Sequence, residues 1–101
     1  ETGPEAAATW NRAREAFAFL KDDGNALQAA RNAVASEPYE YDHRKSLVNL
    51  LVAQKKYDEA VPLLEWCLKQ YPENRDLKQA LLLARSQVQQ ASFTTDSSQH
   101  Q

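Results

Sequence analysis

The sequence predicts an all-α protein in which two helix pairs, related by an internal repeat, are followed by a closing helix. Alanine and leucine dominate the apolar residues and there are only two glycines, a composition that favours helix over strand. Apolar residues recur at spacings of three and four, as they do on one face of an α-helix. Ala26 and Ala60 share one position of a 34-residue register, and so do Pro38 and Pro72, which indicates the repeat.

The first two predicted helices form the first unit. A periodic segment over about 5–20 is separated from a second, over about 26–36, by the turn-forming residues 21–25. Pro38 ends the second helix, because the residue before a proline is pushed out of helical geometry. The predicted core face of the first helix comprises Trp10, Ala13, Phe17 and Leu20.

The third and fourth predicted helices form the second unit. The third spans about 41–55, with Asp42 as the expected N-cap. Asp58 is the expected N-cap of the fourth, which runs to about Gln70 and is ended by Pro72. Cys67 occupies a small-residue position in this helix and is predicted to be buried.

The predicted organisation has five parts. Residues 1–6 lack an initiator methionine and are expected to be a linker or a vector-derived remnant. The two repeat units cover 7–40 and 41–74, and 75–90 form a capping helix with a polar outer face. Residues 91–101, rich in serine, threonine and glutamine, are predicted to be a disordered tail.

Residues at fixed positions of the 34-residue register follow one pattern. In the first unit these residues are Trp10, Phe17, Ala26 and Pro38; in the second they are Leu47, Leu51, Ala60, Leu64 and Pro72. The pattern resembles the tetratricopeptide repeat, whose signature is W-x₂-L-G-x₂-Y, then A-x₃-F, then P. Arg44 departs from it at the tryptophan position and Val48 at the glycine position. The resemblance implies a right-handed solenoid of helix-turn-helix repeats.

The resemblance also implies a function in protein–protein interaction. In this family the first helix of each pair lines a concave groove that binds a peptide or a helix of a partner protein. By position, the candidate groove residues are Asn11, Glu15, Phe19, Asp42, Lys45, Asn49, Gln79 and Leu83. Lys45 and Asn49, which lie at i and i+4 on one helical face, suit a carboxylate or a peptide backbone. Family members that bind a C-terminal carboxylate with such a pair also use basic and amide residues on later helices. This sequence has Asp76 and Ala80 at the expected positions, so the full carboxylate clamp is absent.

Several other classes of function are disfavoured. The net charge of −2 and the lack of a basic patch argue against nucleic-acid binding, and no apolar run is long enough to span a membrane. His43, His100 and Cys67 have no metal-site spacing, and no glycine-rich phosphate loop exists. The sequence therefore predicts no catalytic residue, no metal and no cofactor, and a protein that is not an enzyme.

Two alternatives to groove binding remain open. Stacked repeats usually need about three units for stability. The chain is therefore also consistent with a homodimer, or with docking to repeats of a larger parent protein. It is consistent, too, with the substrate-binding part of an enzyme whose catalytic domain lies elsewhere. Trp66, beside the core stripe of the fourth helix, is a candidate partner contact, and the sequence identifies no compartment.

Overall fold

The computed structural model describes the backbone of residues 3–99 and the side chains of residues 3–91. Within this range the chain is all-α, with no strand, and the predicted fold class is confirmed. Each helix packs against the next along the chain. The helices are α1 (Pro4–Phe19), α2 (Asp23–Ser36), α3 (Tyr41–Ala53), α4 (Tyr57–Gln70) and α5 (Arg75–Gln99).

The start of α1 differs from the expected linker. Gly3 adopts a φ of 101°, and its N–H donates to the carbonyl of Ser36 at 2.8 Å. This bond ties the beginning of α1 to the end of α2, and Pro4 then opens the helix, where a missing N–H costs little. Residues 4–6 therefore belong to α1, and residues 1 and 2 lie outside the described range.

The helix N-termini follow the predicted turns only in part. Asp22 caps α2, because its Oδ1 accepts from the N–H of Asn25 at 3.3 Å. The predictions of Asp42 and Asp58 as N-caps are wrong, since α3 and α4 begin after Glu40 and Lys56. Both aspartates lie instead in the first helical turn, where a negative charge interacts favourably with the helix dipole.

The turns within the two units are nearly identical. Lys21 and Lys55, at one position of the repeat register, have left-handed φ values of 60° and 61°. The following N–H, that of Asp22 or Lys56, donates to the carbonyl five residues earlier at 2.8 Å in both turns. This is the Schellman ending of a helix, which usually contains glycine at the left-handed position. The repeated geometry supports the 34-residue register independently of the apolar pattern.

One apolar core runs through α2, α3, α4 and α5. Ala60, Leu51, Leu64 and Cys67 are fully buried at its centre. Burial raises the pKa of the Cys67 thiol, which keeps it protonated and poorly nucleophilic. The buried members of the core are Leu27, Ala30, Leu47, Val48, Leu51, Ala60, Leu64, Cys67, Leu77, Leu81 and Ala84.

The predicted core face of α1 is wrong at two positions. Trp10 is 37% exposed and Leu20 is 69% exposed, whereas Ala13 and Phe17 are half-buried. Among the described helices α1 packs mainly against α2, so its far side is uncovered. It contributes buried surface through the small side chains Ala6 and Ala7. The apolar periodicity correctly identified residues that share one side of α1. It did not identify which side of the helix is covered by a neighbour.

The last helix is longer than predicted. The backbone of α5 is helical to Gln99, whereas the sequence predicts a disordered tail from residue 91. Neither glycine nor proline occurs between residues 91 and 99, so nothing in the backbone chemistry forces the helix to end. Residues 100 and 101 lie outside the described range. None of the described helices combines the length and apolarity required to cross a membrane.

We expect the substitution Ala60→Leu to destabilise the fold by about 1–3 kcal/mol, because Ala60 is fully buried and the added carbons overpack the core. Ala35→Leu is the matched control, since Ala35 is exposed on α2. Urea unfolding followed by circular dichroism measures both free energies. Equal stability of the two variants would show that α4 does not depend on a small residue here.

Candidate partner-binding surface

Three of the predicted groove residues lie on one face of α3. Asp42 and Asn49 are exposed, and Lys45 between them is half-buried. The Nζ of Lys45 donates to the Oδ1 of Asn49 at 3.0 Å. Lys45 retains two further ammonium N–H groups, and Asn49 retains the two of its Nδ2 amide. This part of α3 therefore presents hydrogen-bond donors that suit carbonyl or carboxylate oxygens.

The predicted residues on α1 differ in their surroundings. Phe19, at the end of the helix, is 85% exposed, and Glu15 is exposed beside Arg14, with 3.6 Å between its Oε1 and the guanidinium. Asn11 is half-buried and is engaged in contacts within the protein. On α5, Gln79 and Leu83 are both exposed.

Asn11 belongs to a polar network that no sequence pattern predicted. Its Oδ1 accepts from Nε of Arg14 at 3.5 Å, and its Nδ2 lies 3.0 Å from Nδ1 of His43 on α3. The other ring nitrogen of His43, Nε2, lies 2.7 Å from Oε1 of Glu37, just after α2. The network therefore joins α1, the end of α2 and the start of α3.

The hydrogen-bond partners fix the tautomer of His43 in this network. Because Oδ1 of Asn11 accepts from Arg14, we assign the Asn11 amide as the donor and Nδ1 of His43 as the acceptor. The proton lies on Nε2 and is donated to the carboxylate of Glu37. His43 thus joins the two units through contacts at both of its ring nitrogens.

Two further contacts fix the second unit on the first. Nε and Nη2 of Arg31 on α2 donate to the two carboxylate oxygens of Glu59 on α4, at 2.9 and 2.6 Å. The hydrogen bond to Glu59 raises the pKa of the Arg31 guanidinium and so favours its charged form. At the start of α2, the carbonyl of Asp23 accepts from Nε2 of Gln54, which directly follows α3, at 3.0 Å.

Trp66 has an intramolecular partner. The guanidinium of Arg44 lies 4.3 Å from the centre of the Trp66 ring, within the range of a cation–π interaction. Nε of Arg44 also donates to the carbonyl of Pro38 at 2.6 Å. Arg44, which departs from the family pattern at the tryptophan position, thus covers one face of Trp66. We therefore do not assign Trp66 to the candidate surface.

The charged side chains of the described residues do not converge on a metal site. Within residues 3–91, no three histidine, cysteine, aspartate or glutamate side chains lie close enough together to hold a metal ion. The predicted groove residues on α1, α3 and α5 are instead hydrogen-bonding, charged or exposed apolar side chains.

We expect Asn11→Ala to lower the free energy of unfolding by about 1–3 kcal/mol, because it leaves Nδ1 of His43 without its donor in a largely buried position. Asn49→Ala is the matched control on the exposed face of α3 and should change stability by no more than about 0.5 kcal/mol. Urea unfolding measures both values. A stability loss for Asn49→Ala as large as that for Asn11→Ala would contradict this assignment.

Comparison with known families agrees with the repeat. The family model described as tetratricopeptide repeat matches residues 42–86, which cover α3 from its second residue, all of α4 and about half of α5. No curated protein matches the sequence. Members of this family typically act as protein-interaction scaffolds. The assignment of a repeat to residues 7–40 stays a prediction, supported by the turn at Lys21. Residues 42–86 thus match the tetratricopeptide repeat, and the resemblance to that repeat family is confirmed for this part of the chain.

Proposed function

We propose that this chain is a non-catalytic interaction module whose concave face, formed by α1, α3 and α5, binds a peptide or a helix of a partner protein. The observation that carries the proposal is the pair of Lys45 and Asn49 on the exposed face of α3. In the order of the first helices α3 is the middle one, so a ligand that crosses all three helices passes over this pair. The family's typical role as a protein-interaction scaffold supports the same function.

The chemistry of the pair defines what the centre of the ligand should offer. An acidic side chain or two consecutive main-chain carbonyls would accept from the ammonium of Lys45 and the amide of Asn49. Asp76 and Ala80 on α5 supply no second cation for a terminal carboxylate. We therefore infer that an internal segment of the partner, rather than its C-terminal carboxylate, lies on α3.

The two ends of the proposed groove are more apolar than its centre. Phe19 at the end of α1 and Leu83 on α5 are large, exposed and suited to apolar side chains of the ligand. Glu15 and Asp42 add negative charge on one side, and Gln79 adds a neutral amide on the other. A ligand with apolar residues flanking an acidic centre matches this arrangement best.

Peptides selected from a random phage-displayed library against the intact chain provide the probe for this function. We expect the variant Lys45→Ala/Asn49→Ala to weaken binding of the selected peptide by about tenfold or more. Loss of charge-assisted hydrogen bonds costs roughly 1.5–3 kcal/mol, and about 1.4 kcal/mol corresponds to tenfold in Kd. Fluorescence polarisation with a labelled peptide measures the Kd.

Lys56→Ala/Asn32→Ala is the control for this experiment, because it removes the same residue types from the turn before α4 and from α2. Its Kd should equal that of the unmodified chain. An unchanged Kd for Lys45→Ala/Asn49→Ala, with circular dichroism showing both variants folded, would refute the groove assignment.

A second candidate function is self-association or docking within a parent protein, and the exposed apolar residues of α1 favour it. Trp10 and Phe19 of α1, and Leu20 directly after it, leave large apolar surface in water. Under this function, sedimentation equilibrium should show a dimer that Phe19→Ser/Leu20→Ser dissociates. Tyr39→Ser, at an equally exposed residue between α2 and α3, should leave the dimer intact. A monomer at all concentrations tested argues against self-association.

A further inference from the structure

Equivalent surfaces of the two units differ in whether another helix covers them. Helix α4 lies on the surface formed by α2 and α3, where it buries Leu47 and Val48 within the common core. Two polar contacts fix it there: Glu59 of α4 pairs with Arg31 of α2, and Trp66 of α4 lies under Arg44 of α3.

The same surface recurs one repeat period further along the chain. Leu81 and Leu82 of α5 take the register positions of Leu47 and Val48, and Lys78 takes that of Arg44. Val48 is only 2% exposed, whereas Leu82 is 67% exposed. The difference follows from the absence of a covering helix at this position among the described residues.

The uncovered surface is a groove between α4 and α5, here called the α4/α5 groove. It consists of one depression of about 430 Å³ and a second of about 300 Å³. Apolar side chains form much of both. The lining residues used below are Val61, Leu68, Lys69, Lys78, Leu81 and Val88.

The described chain does not fill this groove itself. Helix α3 ends at Ala53 and turns at Lys55, so that α4 can fold back onto α2 and α3. The residue equivalent to Lys55 is Gln89, which is helical, and α5 continues through it to Gln99. Among the described residues, therefore, no sixth helix returns to the position that α4 has in the preceding unit.

We propose that the α4/α5 groove docks an amphipathic helix of a partner protein, in the position that α4 has on α2 and α3. The helix lays an apolar stripe on Val61, Leu68, Leu82 and Val88. This surface is distinct from the proposed peptide-binding face, whose central residues Lys45 and Asn49 lie on α3. The inference therefore does not depend on the proposed function.

The charges at the groove define the partner helix further. Lys69 of α4 and Lys78 of α5 flank the larger depression, with Leu68 and Leu81 between them. Lys78 is paired only loosely, since its Nζ lies 3.7 Å from a fully solvated Glu73 carboxylate. A helix that carries acidic side chains on both sides of its apolar stripe complements the two lysines.

The middle of the groove requires no net charge from the partner. Nη2 of Arg85 on α5 already donates to the carboxylate of Glu65 on α4 at 2.7 Å. A neutral or small side chain on the partner helix can cross this pair without leaving either charge unpaired.

Two synthetic 18-residue peptides with the same leucine stripe test the inference, one flanked by glutamates and the other by lysines. We expect the intact chain to bind the glutamate peptide at least tenfold more tightly in fluorescence polarisation. The variant Lys69→Glu/Lys78→Glu should reverse this preference. The control Arg12→Glu/Lys21→Glu has the same change of net charge at exposed sites near α1, and it should keep the original preference.

A neutral variant separates docking in the groove from general attraction of charge. Leu82→Ser should weaken binding of both peptides several-fold without unfolding the chain, because Leu82 is mostly exposed. Amide NMR shifts on binding should concentrate on α4 and α5. Failure of the charge swap to reverse the preference, or shifts confined to α3 around Lys45, would overturn the inference. A dimer in sedimentation equilibrium that Leu82→Ser dissociates would overturn it too, by showing that a second copy fills the groove.

Discussion

The close packing of α4 against α3 is the contact on which the rest of the structure depends. Ala60 is fully buried there, and its single methyl group lets the backbone of α4 approach its neighbours. Leu51 and Leu64 fill the adjoining space and are also fully buried, each worth about 1.5–3 kcal/mol relative to exposure. The packing of α2 against α3 and the Asn11–His43 contact then join the second unit to the first.

The polar contacts between the two units contribute little to the free energy of folding. Their main effect is to favour one alignment of the helices. Arg31 and Glu59 form a two-pronged ion pair, but both side chains are more than a third exposed, so the pair is worth only about 0.2–1 kcal/mol. Its geometry nevertheless accepts one arrangement of α2 and α4. His43, which is better buried, fixes α3 against α1 in the same way through Asn11 and Glu37.

The sequence was sufficient for the pairing of helices and for the alanine and proline register, because these follow from local periodicity and from backbone chemistry. The predicted core face of α1 was wrong at two positions, because Trp10 and Leu20 lie on the same side as Phe17 but no described helix covers them. The left-handed Lys21 and Lys55 were equally hidden, because lysine is not the residue that normally indicates this conformation. Each such residue costs about 1–2 kcal/mol, which the two backbone hydrogen bonds of the turn help to offset.

In the candidate site, too, the contact within one helix could be predicted from the sequence, whereas the contact between helices could not. The proximity of Lys45 and Asn49 follows from their spacing on one helix, and the structure joins them by a hydrogen bond. The link between Asn11 and His43 joins residues 32 positions apart, so it exists only after both units have packed. Its consequence is functional: one amide hydrogen of Asn11 is committed to His43 and its Oδ1 accepts from Arg14, so only the second amide hydrogen is left for a ligand. On the proposed concave face, recognition should therefore rest on α3, while α1 contributes through the exposed Phe19. A ligand that did compete for Asn11 would weaken the contact between the two units.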